Sequence, residues 1–422
     1  MMKPQISPLI EEQEAPFTWP EGGLTRVPYR VFSDPEIFAL EQVRIFRGPV
    51  WNFLCLEVEI PNAGDFKTTH VGETPVIVVR DRDGRINAMV NRCAHKGSLV
   101  CLERRGNRKA LTCVYHSWSY DLKGDLTGVA FRNGINQKGG MPKDFDLAAH
   151  GLEKLRVNTF CGLVFGTFSD ETEPIEDYLG EKMRANITRV LGKPVRILGT
   201  HSQLLNNNWK LYAENLRDAY HATLLHLFYT TFKINRLDME GGIVLDDTGR
   251  HAISYSKQGT FTKEAPEYRE KEIHSVQSDA KLAGPELLET WPEFESGVTH
   301  AIQSIFPTLG IQMTLNSLAI RAFVPRGIHQ SELSWTYLGY EDDDEEKTRM
   351  RIRQSNLTGA SGYVSLEDGC IGGFVERGIV GDTDGQAVLE MGGSEVATLE
   401  GSRATETSVR GFWKEYRHLM GY

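Results

Sequence analysis

The 422-residue chain has no run of eighteen apolar residues, which argues against a membrane-spanning helix. Its first residues, MMKPQISPLIEEQEAPFTWPEGG, lack the charged-then-apolar layout of a signal peptide. Polar, acidic and proline-bearing, they read as a mobile arm on a cytoplasmic protein. Cysteine is scarce. The six thiols, Cys55, Cys93, Cys101, Cys113, Cys161 and Cys370, do not make a secreted disulfide framework in a chain this long and fit a reducing compartment with metal ligands better. An excess of positive charge is missing too: 47 Lys and Arg against 57 Asp and Glu leave a net charge of −10. That argues against nucleic acid as a partner. It permits steering of a positively charged protein partner, although solubility alone explains it as well. Internal repeats and low-complexity tracts are absent.

What remains is the composition of an ordinary globular protein, 40% hydrophobic and 25% charged, with room for two or three domains. Short β-branched or aromatic runs dominate between Trp51 and Phe168 (WNFLCLEVEI, TPVIVVRDRDGRINAMV, GLVFGTF), with a tight turn at Asp83-Gly84. They predict a small all-β domain. From about Pro174 helical patterning takes over. NNNWKLYAENLRDAYHATLLH places Trp209, Tyr212, Ala213, Leu216 and Tyr220 at helical spacing. EDDDEEKTRMRIRQ and SVRGFWKEYRHLMG read as further helices, and residues 317–325 and 334–340 as strands. The second part is thus α+β, a sheet covered by helices.

The all-β stretch carries NRCAHKGSLVCLERRGNRKALTCVYHSW, in which C-x-H is followed seventeen residues later by C-x2-H. A structural zinc usually takes two cysteines from one knuckle and two histidines from another. Cysteine and histidine one residue apart would make a cramped bite on a single ion. The alternation suits a two-iron cluster, with Cys93 and Cys113 on one iron and His95 and His116 on the other. That is the Rieske [2Fe–2S] arrangement, in which imidazoles replace thiolates and raise the reduction potential. A zinc site is the competing reading. Cys101 lies off the pattern and reads as a buried thiol, while Trp118 is either a shield over the cluster or plain core.

This motif, with Trp118 and GDLTGVAF after it, resembles the Rieske domain of the large subunits of aromatic-ring-hydroxylating oxygenases. Those commonly read C-x-H-R-G and C-P-Y-H-G-W; Lys96, Val114 and Ser117 depart from the pattern and leave all four ligands intact. The resemblance runs from about Arg26 to Met420. It implies an arm and helix packing on the catalytic domain (1–43), a Rieske domain (44–168) and a helix-grip catalytic domain with a mononuclear Fe(II) (169–422).

A Rieske cluster moves one electron and makes no bonds itself. His221 and His226 offer a second site, but residues five apart on an ideal helix diverge by roughly 140°. Their convergence needs a π-type widening or a broken helix; taken alone, they are ordinary histidines. A non-haem iron oxygenase needs two histidines and one carboxylate on one face of the metal. The resemblance places the third ligand in NLTGASGYVSLEDGCIGGFVERG, as Asp368, with Glu367 as the alternative or as part of a solvated turn. It also implies that Asp218 of D-A-Y-H joins His221 to His116 of the partner subunit, orienting both rings. A plain helix-surface aspartate is the other reading. Asn215 corresponds to a family residue near the iron.

The implied reaction draws electrons from an NADH-dependent reductase, directly or through a ferredoxin, and activates O2 beside a bound aromatic ring. RVPYRVF, VWNFLCLEVEIPNAGDF, KLRVNTFCGLVFG and GSRATETSVRGFW point to the group acting on aromatic carboxylates: terephthalate, anthranilate, ortho-halobenzoate and salicylate. A carboxylate entering a mostly apolar pocket needs a cation, and arginine supplies a bidentate fork. Arg321, a lone charge in NSLAIRAFVP, and Arg403, in GSRATETS, resemble family positions that hold carboxylate. A surface or interface ion pair explains Arg403 equally well. The family assembles as a closed head-to-tail homotrimer, often with small beta subunits as alpha3beta3. Competing readings are a Rieske monooxygenase acting on salicylate or a related acid, an electron carrier without oxygenase activity, and a zinc-stabilised interaction protein.

Overall fold

β-Branched runs separated by tight turns build the first of two compact units, Phe46–Ile175. The computed structural model describes residues 17–259, 266, 268, 280–359, 362 and 364–422. In the first unit the strands are β1 (Asn52–Leu56), β2 (Asp65–Val71), β3 (Thr74–Arg80), β4 (Ile86–Val90), β5 (Arg105–Asn107), β6 (Leu111–Thr112), β7 (Ser119–Tyr120), β8 (Leu126–Gly128), β9 (Lys154–Phe160) and β10 (Leu163–Thr167). A seven-stranded antiparallel sheet runs β1-β10-β9-β4-β3-β2-β5, and β6-β7-β8 form a small second sheet. The turn expected at Asp83-Gly84 is present: the Asp81 carboxylate accepts the N–H groups of Asp83 and Arg85, both at 2.9 Å, and Gly84 takes φ 81°. The strand expected over WNFLCLEVEI stops at Leu56, because the Glu59 carboxylate accepts the Leu56 N–H at 2.9 Å and closes a 3-10 turn over Glu57–Glu59. Phe66, Ile77, Val79 and Met89 form one core with Cys93, Cys113 and Trp118, so the two Cys/His loops rest on packed apolar side chains.

The second unit takes the segment ending at Ile45 together with Glu176–Tyr422. Its strands are β11 (Val195–Leu205), β12 (Gly241–Leu245), β13 (Ala252–Ser256), β14 (His300–Ile305), β15 (Leu309–Thr314), β16 (Ser317–Pro325), β17 (Ser331–Tyr340) and β18 (Leu399–Glu400). They pair as one antiparallel sheet in the order β11-β17-β16-β15-β14-β13-β12-β18. Every residue of β15 is buried, so both faces of the sheet are covered there. The covering helices include α1 (Pro35–Glu41), α2 (Trp209–Arg217), α3 (Glu345–Thr358), α4 (Ser365–Gly378) and α5 (Thr407–Met420). Local chemistry starts them: the side chains of Asp34, Asn208 and Asp344 accept the N–H groups of Glu36, Lys210 and Lys347 at the heads of α1, α2 and α3.

α1, α2 and α5 meet at a fully buried ion pair. Lys210 Nζ donates to Glu41 Oε1 at 2.6 Å, while Trp209 Nε1 and Tyr416 OH donate to the same carboxylate at 2.7 Å each. This cluster fixes the axis of α2, which carries Asn215. The arm read as mobile is anchored where it is described: Trp19 is buried and stacks near Trp413 and Tyr422, 5.8 and 5.3 Å between ring centroids. Aromatic burial outweighs its polar composition. Residues 1–16 of that arm lie outside the described residues. Among the described residues, no helix is long and apolar enough to cross a membrane.

Candidate metal centres

The two Cys/His loops share one backbone design. In the first, the Cys93 N–H donates to Ser98 O (2.8 Å) and the Gly97 N–H to Cys93 O (2.9 Å). In the second, the Cys113 N–H donates to Trp118 O and the Ser117 N–H to Cys113 O, both at 2.9 Å. Each turn needs a left-handed residue at the same place, Gly97 (φ 75°) or Ser117 (φ 51°). The thiols point inward, 3% and 1% exposed, while the imidazoles of His95 and His116 are half-buried with ring centroids 4.5 Å apart. Thiols inside and imidazoles at the tip form the asymmetric donor set of a Rieske cluster.

Two details fit a cluster held there. His95 Nδ1 is buried without any hydrogen-bond partner, as a ligand atom should be. Tyr120 OH accepts the Ala94 N–H (3.1 Å) and lies 3.3 Å from Cys93 Sγ, so its own proton is free to stabilise a thiolate. Trp118 serves both readings: it is buried in the core and lies flat on the His95 ring at 4.9 Å and 3°. Cys101 is a buried thiol, pushed up to about 11 by desolvation.

In the second unit the helix expected through His221 ends at Arg217. Asp218 is extended (φ −82°, ψ 98°), and its carboxylate accepts the N–H groups of Tyr220 (2.8 Å) and His221 (3.3 Å). A 3-10 turn over His221–Thr223 follows. This break brings together what an ideal helix would separate, and the His221 and His226 ring centroids lie 5.2 Å apart. Both Nε2 atoms reach Asp368 Oδ1 at 3.3 Å. His221, His226 and Asp368 offer ligand atoms within 4.8 Å of one another, the two-histidine, one-carboxylate face that suits Fe(II).

Glu367 and Asp368 both sit in the first turn of α4, so Glu367 belongs to a helix and not to a solvated turn. Gly372 permits it: a Cβ there would stand 2.0 Å from Asn207 Nδ2. Glu367 faces the other nitrogen of His226, with Oε2 2.7 Å from Nδ1. Asp218 Oδ2 lies 3.2 Å from His221 Nδ1 but off the line of a hydrogen bond. Each imidazole thus has a carboxylate behind it. Asn215 Nδ2 donates to Asp368 Oδ1 (3.1 Å) and lies 3.3 Å from His221 Nε2. Burial alone would lower the His221 pKa, but the Asp218 and Asp368 carboxylates outweigh it and push it up to about 10. Burial would raise Asp368, yet the two imidazoles hold it well below the usual carboxylate range. Carboxylates that favour positive charge between these rings favour a divalent cation in the same place.

The ligands open onto a pocket that Arg321 and Trp335 also line. Arg321 is 2% exposed; Nη1 donates to Gln312 Oε1 at 2.8 Å, Nη2 to Tyr212 OH, and the guanidinium lies 4.5 Å from the Trp335 ring centroid. Its Nε is buried without a partner, and no carboxylate pairs with it among the described residues. Arg403 is not part of the lining. It is buried and donates to Asn235 Oδ1 and to the carbonyls of Arg236 and Met239. Sequence reasoning missed His300, Gln312 and Asn235, which line the same pocket. The signal that exposed Arg321, a polar side chain in an apolar strand, was available for His300 and Gln312 as well.

An electron-carrying donor set and an oxygen-activating one on a single chain define a Rieske non-haem iron oxygenase. Comparison agrees: residues 50–137 match the Rieske [2Fe-2S] domain, and residues 184–421 match the ring hydroxylating alpha subunit (catalytic domain). The chain belongs to the ring-hydroxylating oxygenase alpha subunits, oxidoreductases that hold a Rieske [2Fe–2S] cluster and a mononuclear iron. It is 52% identical to the terephthalate 1,2-dioxygenase terminal oxygenase component subunit alpha 2 of a Comamonas species, over 97% of this chain and 98% of that one. Identity is 45% to the anthranilate 1,2-dioxygenase large subunit of Burkholderia cepacia, covering 100% of both. With the salicylate 5-hydroxylase large oxygenase component of a Ralstonia species it is 41%, over 96% of each. Among solved structures, naphthalene 1,2-dioxygenase from a Rhodococcus species shares the fold, with TM-score 0.77 and 24% identity over 94% of both chains.

Proposed function

We propose that the chain is the large subunit of a terminal oxygenase that dihydroxylates an aromatic carboxylate. One observation carries this reading: Arg321, a buried guanidinium without a carboxylate partner among the described residues, faces the pocket that the iron ligands line. A buried cation left unpaired is costly, and a substrate carboxylate completes it. Gln312 and Tyr212 hold two arms of the guanidinium in place, and Trp335 covers its face. Ile302, Leu216 and Val364 supply the apolar wall that holds the ring and excludes water. When bound, the cluster supplies electrons one at a time and Fe(II) supplies oxygen activation. Asn215, Asp218 and Glu367 hold the ligand side chains in register for that centre.

Asp218 is also the residue through which His221 meets His116 of the partner subunit in a head-to-tail trimer. Its side chain is 26% exposed, so one side remains open to such a contact. Small beta subunits completing alpha3beta3, and an NADH-dependent reductase acting directly or through a ferredoxin, complete the system. A monooxygenase reading is favoured by the likeness to the salicylate 5-hydroxylase component. Heavy-oxygen labelling of the product separates the two: two labelled atoms support dihydroxylation, one supports the alternative. Arg321→Leu should weaken acid binding on the order of a hundred- to thousandfold, from the ~3–5 kcal/mol of a broken buried pair. Both metals should stay bound. Unchanged turnover of benzoate-type acids by that variant would remove the carboxylate argument.

A further inference from the structure

Arginine only donates hydrogen bonds, so every group bonded to Arg321 or Arg403 has its polarity fixed. Gln312 meets Arg321 through Oε1, which turns its amide nitrogen the other way, and Nε2 donates to Thr314 Oγ1 at 3.1 Å. Tyr229 OH donates to the same oxygen from 3.5 Å. A hydroxyl has two acceptor positions and one proton. With both positions taken, the Thr314 proton goes to its remaining neighbour, His300 Nδ1, 3.1 Å away. His300 is buried, and desolvation, reinforced by the charges of Arg403 and Arg321, holds its pKa well below the usual imidazole range. The ring is therefore neutral. Since it accepts at Nδ1, its single proton sits on Nε2.

That N–H has no partner among the described residues, and His300 lines the pocket. The same logic holds beside it. Asn235 Oδ1 accepts from Arg403 Nη1 and from Ser256 Oγ (3.2 Å), which leaves the Asn235 amide nitrogen unpartnered among the described residues. Asn235 also lines the pocket. Two buried arginines thus polarise two separate side chains so that both present N–H groups.

We infer that His300 Nε2 and Asn235 Nδ2 form a second recognition subsite, which takes a hydrogen-bond-accepting substituent, a carboxylate foremost, on a ring whose first carboxylate is held by Arg321. The inference rests on the proposed function. A ring amine is a poor acceptor for these two donors, so the subsite selects dicarboxylates over aminobenzoates. Arg403 acts at one remove, as a positioning residue for the Asn235 amide.

The test is calorimetric binding to the anaerobic, reduced holoenzyme, with benzoate, the three benzene dicarboxylates and the three aminobenzoates as probes. One dicarboxylate should bind about ten- to a hundredfold tighter than the aminobenzoate of the same substitution pattern, the range for a hydrogen bond to a charged group. His300→Leu should weaken the dicarboxylate several-fold more than benzoate and so shrink that preference, while His300→Gln, which keeps an N–H donor, should retain more of it. Thr314→Val leaves His300 in place but frees its tautomer, so it should narrow the preference, which a merely steric role for His300 would not do. The inference is overturned if aminobenzoates bind as tightly as their dicarboxylate counterparts, or if His300→Leu weakens benzoate equally. Benzoate that fails to bind the wild-type enzyme sinks the proposed function itself.

Discussion

Two adjacent carboxylates, Glu367 and Asp368, approach the same histidine from opposite sides, and substitution should separate their roles cleanly. Asp368 Oδ1 lies 3.3 Å from Nε2 of both His221 and His226, so one oxygen faces both rings. Asp368→Asn keeps the shape and removes the charge, leaving two neutral imidazoles for a hard cation that prefers a carboxylate. Iron should fall from three to two per chain while acid-labile sulfide stays at two, because the cluster draws on other ligands. Glu367→Leu removes the acceptor 2.7 Å from His226 Nδ1 on a ring that is 3% exposed. An unpaired buried N–H costs ~1–3 kcal/mol, and loss of an outer carboxylate typically weakens a metal site 10- to 100-fold. Glu367 is 33% exposed, and water screens part of its contribution. The expected effect is thus nearer tenfold in Fe(II) affinity, read by anaerobic titration with the cluster spectrum as control. The reverse order, Glu367→Leu stripping the iron and Asp368→Asn retaining it, would refute the assignment.

Asp218→Ala should leave iron content largely steady while NADH-coupled product formation collapses; persistent activity means electrons take another route. Lys210→Met strands the fully buried Glu41 carboxylate and should cost ~3–5 kcal/mol in urea denaturation. Adding Glu41→Gln should recover part of it, since Trp209 and Tyr416 donate to different carboxylate oxygens and the single amide oxygen keeps one of them. Glu214, half-buried beside Trp413 and Asp218, is pushed up to about 8 from 4.5, chiefly by desolvation. Between those values the folded chain holds a proton that the unfolded chain has lost, so its contribution to stability falls as pH rises and levels off above 8. Glu214→Gln, which keeps an oxygen for Trp413 Nε1, should therefore gain stability over wild type from pH 5 to 8 and show a constant difference above it. A difference that shrinks with pH would contradict a raised pKa.

The cluster loops were legible in the sequence because their donors are local: each Cys/His pair lies within a single turn, and the alternation of ligand types survives any placement of the strands. The spacing of His221 and His226 foretold a broken or widened helix but not where. The break falls at Asp218 because that side chain bonds the N–H groups of Tyr220 and His221, competing with the helix for them. That glycine-rich α4 is a helix was not legible, since propensity alone does not show that Gly372 is needed for a close approach to Asn207. The pocket wall was the least legible part. Ser254, Ile302 and Gln312 are successive cross-strand neighbours on β13, β14 and β15, a row that exists only once the register is set.

Charge explains why that wall takes the form it does. Arg321 and Arg403 are 2% and 3% exposed, and neither has a carboxylate within ion-pair distance among the described residues. Desolvation presses Arg403 down to about 10, so it stays charged at neutral pH. The Asp238 carboxylate supports Arg403 from beyond ion-pair distance, and a fold rarely keeps a desolvated guanidinium such as Arg321 uncompensated unless something else supplies the anion. The carboxylates around the iron ligands do not serve, because Asp368 faces the two imidazoles while Asp218 and Glu367 stand behind them. A monocarboxylate answers only Arg321. The second carboxylate of a dicarboxylate meets Arg403 only at one remove, through the Asn235 amide it polarises, so the preference for two carboxylates rests on the N–H groups of His300 and Asn235 rather than on a count of charges.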